Sequence, residues 1–117
     1  MNKEKLGKIG EDKAKAYLEK LGYFILARNF KSTYGEIDII AIDKKEIVFV
    51  EVKTRASYLY GEAREAVHNI KRKHMKKTAT YFICKNKLED RFIRFDVIEV
   101  YLKNNSFFIK HIKNTMW

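Results

Sequence analysis

The sequence predicts an α/β (α+β) fold, a mixed β-sheet flanked by two helices in the order αβββαββ. Three observations carry the prediction. Apolar residues recur at helical spacing over residues 6–21 and again from about Gly61 onward. Apolar segments of strand length fill 23–30, 36–43, 47–54, 91–102 and 107–112. The chain has 117 residues, no proline and no internal repeat or Gly/Ser linker, so residues 1–117 are expected to form one domain.

In the first helix Leu6, Gly10, Ala14, Tyr17, Leu18 and Leu21 fall at steps of three and four, and Gly22 follows as a stop. "YFILARNF" reads as the first strand. "GEIDIIA" and "IVFVEVKT" then flank the polar turn DKKE. In the second helix Ala63, Ala66, Val67, Ile70, His74, Thr78 and Tyr81 share one stripe. "RFIRFDVIEVYL", the turn "KNNS" and "FFIKHI" close the sheet.

Twenty-five Lys and Arg against fifteen Asp and Glu give a net charge of +10, a field that attracts a polyanion such as nucleic acid. An anionic membrane surface would also answer that charge, but no stretch has the strong Trp/Leu face of an interfacial helix. No apolar run approaches the roughly twenty residues that cross a bilayer. The first residues, MNKEKLGKIGEDK, lack an apolar export core, and Cys84 is the single cysteine, so a cytoplasmic setting without intramolecular disulfides is expected. Cys84 is expected as a packed core residue, and His68, His74 and His111 lack zinc-ligand spacing.

The central hairpin carries charges where core residues belong. With the turn centred between Lys44 and Lys45, Ile37/Val52, Ile39/Val50 and Ala41/Val48 oppose one another on one side. The other side receives Ile42/Ile47, Ile40/Phe49, Asp38/Glu51 and Glu36/Lys53. Opposed Cβ atoms lie roughly 4.5–5.5 Å apart, so Asp38 and Glu51 would repel unless a cation sat between them. Two readings fit. Glu36–Lys53 is a salt bridge with Asp38 and Glu51 on a wet edge, or the carboxylates hold a hard divalent ion of the kind that phosphodiester hydrolysis uses. Glu11 shares a helical row with Ala14, Leu18 and Leu21. It serves either as a dipole partner near the helix start or as a third acid of the same site.

"IKRKHMKK" places Lys71, Arg72, Lys73, Lys76 and Lys77 on the second helix, with like charges at Arg72/Lys76 and Lys73/Lys77. These residues form either a solvated face or a phosphate-binding one. Arg55, just past Lys53, is placed to meet phosphate near the chemistry. Tyr58 and Tyr60 are open to base stacking or to packing.

Asp38 followed by Glu51-Val52-Lys53 within this element order resembles the PD-(D/E)XK nuclease superfamily, of restriction-endonuclease-like fold. The nearer likeness is to YraN-like proteins, related in fold to archaeal Holliday-junction resolvases. It rests on Gly10-Glu11, "GEIDIIA", "VFVEVKTR", "YGEAREAV" (60–67), Lys71, "RFDV" (94–97) and "HIKN" (111–114). Ile37 stands where the superfamily name has proline. The resemblance implies that Asp38 and Glu51 bind Mg²⁺ or Mn²⁺ and that Lys53 positions or activates the attacking water. It also implies that Glu11 supports the metal site. The expected activity is DNA endonuclease, on branched or flapped structures, with a homodimer as the form that cuts two strands. The alternative is a nucleic-acid-binding or adaptor protein that keeps the fold without turnover.

Overall fold

The structure, a computed structural model, describes residues 2–56 and 65–115. Helix α1 (Lys3–Lys20) begins at Asn2, whose side-chain oxygen accepts the Lys5 N–H at 2.8 Å. It ends before Gly22, whose φ of +94° suits only a residue without Cβ. Strands β1 (Phe24–Ser32), β2 (Gly35–Asp43) and β3 (Glu46–Arg55) follow, then α2 (Glu65–Lys85), β4 (Ile93–Lys103) and β5 (Ser106–Ile112). This is the expected αβββαββ order, and it is compatible with a restriction-endonuclease-like fold. The proposed start of the second helix near Gly61, together with Ala63, Tyr58 and Tyr60, lies outside the described residues.

The sheet runs β1-β2-β3-β4-β5, antiparallel except for β3 beside β4. The parallel pair needs a crossover, and α2 supplies it. Both predicted turns form. Lys44 (φ 59°) closes the β2–β3 hairpin, and Asn104 and Asn105 (φ 51° and 62°) close β4–β5.

Strand alternation sends successive residues to opposite faces. Ile39, Ala41, Val48, Val50, Ile98 and Val100 pack under α1 against Ala14 and Leu18. Ile40, Ile47, Phe49 and Phe95 pack under α2 against Met75, Ala79 and Phe82. The inner row of α2 therefore differs from the expected stripe. Met75 and Phe82 are buried, while His74 and Tyr81 face solvent, because rotating the helix by one residue buries the larger apolar side chains. Leu21, past the helix end, is exposed, and so is Cys84, which was expected in the core.

"RFDV" and "HIKN" meet at one buried charge. Asp96 is fully buried and accepts the Arg94 Nε–H at 3.1 Å and the Asn114 N–H at 2.9 Å, with His111 Nε2 at 2.7 Å. Burial works to raise Asp96, but the bonds from His111, Arg94 and Asn114 outweigh it and hold the carboxyl below its ordinary pKa. Arg94 also reaches Asp43 (3.0 Å) and Glu46 (3.1 Å), tying the β2–β3 turn to β4. These motif residues brace the sheet end that carries the turn.

Candidate active site

β2 and β3 keep the expected register from Asp43↔Glu46 to Ile39↔Val50, where the paired register ends. Beyond that point Asp38 Oδ2 accepts the Val52 N–H at 2.7 Å, so a side chain takes over from the ladder. β3 stays fixed by β4 as far as Arg55↔Tyr101. A parting of two central strands, with one of them anchored, leaves a cleft at the sheet end.

The parting also changes the faces. Ile37, expected beside Ile39 and opposite Val52, packs instead with the α2-side cluster, whereas Val52 packs on the α1 side. β1 makes the same change alongside. Phe30 packs toward α2, while Arg28 and Asn29 both reach α1. Asn29 has φ 51°, and a residue in the left-handed region interrupts the two-residue alternation. Asp38 thereby lines a cleft of about 560 Å³ with Glu11, Val52, Thr54 and Arg55.

α1 brings Glu11 to this cleft through Gly10. A Cβ on Gly10 would lie 1.9 Å from Thr54 Oγ1, so only glycine lets the helix sit this close to β3. Glu11 Oε1 accepts from Asn29 Nδ2 at 2.8 Å and from the Arg28 guanidinium at 3.1 Å. Arg28 also holds Asp12 at 2.7 Å. Glu11 is thus committed to β1, and among the described residues no three His, Cys, Asp or Glu side chains converge as a ligand set.

The electrostatics at the parting are strained. The Asp38 carboxyl is pushed up to about 6, chiefly by burial; the Val52 N–H and the Lys71 ammonium oppose the rise, and Glu11 and Glu51 add to it. Glu51 is 5% exposed. Lys71 Nζ lies 2.5 Å from its Oε2, an ion-pair contact without hydrogen-bond alignment, and that oxygen has no aligned donor. Lys53 Nζ is 3.7 Å from Oε1. Burial lowers the Lys53 ammonium pKa and Glu51 works against the shift, while Arg55 and Lys71 add to it. The expected opposition of Asp38 and Glu51 on one side of the hairpin is therefore not kept. Asp38 lies with Glu11 in the cleft under α1, whereas Glu51 turns to Lys71 of α2 with Lys53 beside it. The charges of Glu51 and Lys71 act on Asp38 across the parting.

The basic residues divide. Lys71, read as part of a phosphate-binding face, is turned onto Glu51. Arg55 is buried with Nε 3.7 Å from Glu99 Oε2, and it also borders the cleft. Arg72 is half-buried, and Lys73, Lys76 and Lys77 are exposed. Sequence reasoning missed Arg28, Asn29 and the Gly10–Thr54 contact. The available signal was the polar Arg28-Asn29 pair interrupting an otherwise apolar strand. Among the described residues no helix is long and apolar enough to cross a membrane.

The sequence model of the Uncharacterised protein family UPF0102 matches residues 10–100. A UPF0102 protein from Caldicellulosiruptor saccharolyticus is 49% identical over 116 residues, covering 97% of this chain and 98% of the relative. A UPF0102 protein from Clostridium botulinum strain Hall is 49% identical over 112 residues, 93% of this chain and 91% of its own length. The matched span takes in the cleft wall, both strands of the parting, α2 and most of β4, so the chain belongs to the Uncharacterised protein family UPF0102.

Proposed function

We propose that this chain is a metal-dependent endonuclease of the PD-(D/E)XK type that hydrolyses DNA phosphodiester bonds. The observation that carries the reading is the parting of β2 from β3, which opens a cleft lined by Asp38 within electrostatic reach of Glu51, itself paired with Lys53.

The residues suit a hard divalent ion. Glu51 presents a buried carboxylate whose partners are the Lys71 and Lys53 ammonium groups, and burial raises the Asp38 carboxyl to about 6. Ionised Asp38 is a disfavoured charge that a cation would relieve, and at Glu51 a metal would take the place that the Lys71 ammonium now holds. Mg²⁺ and Mn²⁺ accept one or two carboxylates together with water and phosphate oxygens, so two acids suffice. The ion, when bound, would supply Lewis acidity toward a phosphate oxygen and lower the pKa of water at the site.

The remaining chemistry belongs to the chain. Lys53 is a compact charge whose proton affinity is reduced by burial, suited to orienting water and balancing the negative charge that develops on the phosphate. Lys71 supplies positive charge to Glu51, and its exposed stem lets it turn toward phosphate. Glu11, fixed by Arg28 and Asn29, holds negative potential on the opposite wall and so supports a cation at Asp38. The +10 net charge favours nucleic acid as substrate, and a homodimer would present two such clefts to two strands.

The commitment of Glu11 to β1 favours a second reading, a nucleic-acid-binding or adaptor protein that keeps the fold without turnover. An assay with Mg²⁺ or Mn²⁺ on linear, nicked, flapped and four-way DNA separates the two. The endonuclease reading expects cleavage by the wild type and a loss on the order of 10²-fold or more for Asp38→Ala and for Lys53→Ala. Undiminished cleavage by purified Asp38→Ala protein overturns the site assignment. Binding without any cleavage selects the adaptor.

A further inference from the structure

A second concave surface lies on the outer side of α2, away from the acidic residues. Tyr34, Lys76, Lys77, Thr80, Tyr81 and Cys84 line an open groove of about 480 Å³. Its two aromatic rings are largely bare, Tyr34 at 47% and Tyr81 at 46% exposure. Tyr81 is held at its ring and Tyr34 at its backbone. Tyr81 stacks on Phe30 with ring centroids 6.1 Å apart, and the Tyr34 N–H donates to Ser32 Oγ at 3.0 Å. Ser32 Oγ is in turn 2.9 Å from Thr78 Oγ1, which ties the β1–β2 turn to α2.

Cations accompany both rings. Lys77 Nζ lies 5.2 Å from the Tyr34 ring centroid and Lys85 Nζ 5.8 Å from that of Tyr81. Exposed aromatic rings interleaved with ammonium groups are the combination that binds unpaired nucleotides, with bases on the rings and phosphates on the cations. A duplex offers phosphates to the lysines but keeps its base faces stacked inside, so the rings would gain nothing from it.

We propose that the Tyr34–Tyr81 groove binds a single-stranded nucleic acid segment, its bases on the two tyrosines and its phosphates on Lys76 and Lys77. The inference rests on the nucleic-acid reading above and narrows it to substrates with an unpaired stretch. Position supports it. Lys71 and Lys77 are six positions apart on α2, about 9 Å at ~1.5 Å per residue, and Tyr34 adjoins the strand that carries Asp38. A strand leaving the groove along α2 therefore runs toward the parting of β2 and β3.

The test uses the full chain in EDTA, so that binding is read without turnover. Fluorescein-labelled oligothymidylate and a blunt duplex of equal length are titrated into wild type and Tyr34→Ala/Tyr81→Ala protein, with anisotropy as the readout. The double variant is expected to lose roughly tenfold in affinity for the single strand and less than twofold for the duplex. Cys84, the only cysteine and exposed on the groove, supplies a footprint that needs no substitution. Saturating oligothymidylate is expected to slow its modification by a maleimide several-fold in the wild type. An unchanged Cys84 rate at saturation, or equal losses for single strand and duplex, overturns the groove proposal and leaves the nucleic-acid reading standing. Failure of the wild type to bind either probe overturns both.

Discussion

Asp38 concentrates the tension of the molecule in one side chain. Burial pushes its carboxyl from an ordinary 3.8 up to about 6, a rise worth at most about 3 kcal/mol. A carboxyl raised in the folded state contributes stability that is fully present below its unfolded value and lost as pH climbs through its folded value. Ionised Asp38 therefore burdens the fold above pH 6. Asp38→Asn is expected to raise stability at pH 7.5 by up to that amount in EDTA, with the gain fading as pH falls from about 6 and largely gone by about pH 4, as read by denaturant melts across pH. An equal gain at all pH values would show that the charge is not the cause. Destabilisation at pH 7.5 would show that the carboxylate is structural. Asp38, Glu51 and Lys53 stood out in the sequence because they are charges inside apolar strands, but the opposition that the strand period predicts for them fails where the register ends at Ile39↔Val50. Arg28 and Asn29 did not stand out, because their partner Glu11 belongs to a helix whose placement no local pattern gives.

Among the elements, α1 shows how closely the site depends on packing. Gly7 and Gly10 occupy one helix three residues apart and have opposite surroundings. Nothing lies within 4 Å of a Cβ placed on Gly7, whereas one on Gly10 would collide with Thr54. Gly7→Ala is expected to stabilise the protein by about 0.5–1 kcal/mol through the loss of backbone freedom in the unfolded chain. Gly10→Ala gains the same term but pushes α1 off β3, so a net loss of about 1–3 kcal/mol is expected. Urea denaturation of both variants checks the pair, and a stabilised Gly10→Ala protein would deny the close approach that brings Glu11 to the cleft. The sequence showed α1 and its inner row of Gly10, Ala14 and Leu18. It misled on α2, where His74, Thr78 and Tyr81 fit a stripe as regular as Met75, Thr78 and Phe82. Only the competition for burial against Phe49 and Phe95 decides between them.

Across the whole molecule, two layers of apolar packing hold the sheet while its centre is allowed to open. The Arg94–Asp96–His111 network fixes one end of the β2–β3 hairpin, and the ladder gives way at the other. The sequence disclosed the element order and the hairpin register. It did not disclose that β1 and β2 change face together at Asn29 and Asp38, because alternation read from residue types assumes an unbroken strand. That change of face lets Asp38 reach the Val52 N–H while Glu51 turns toward Lys71.

Whether the opened strands grip a cation is best asked without any substrate. Calorimetric titration of Mn²⁺ into the wild type at pH 7.5 is expected to show one saturable site per chain, lost in both Asp38→Ala and Glu51→Gln. No saturable heat in the wild type, or binding that survives both substitutions, would contradict the account.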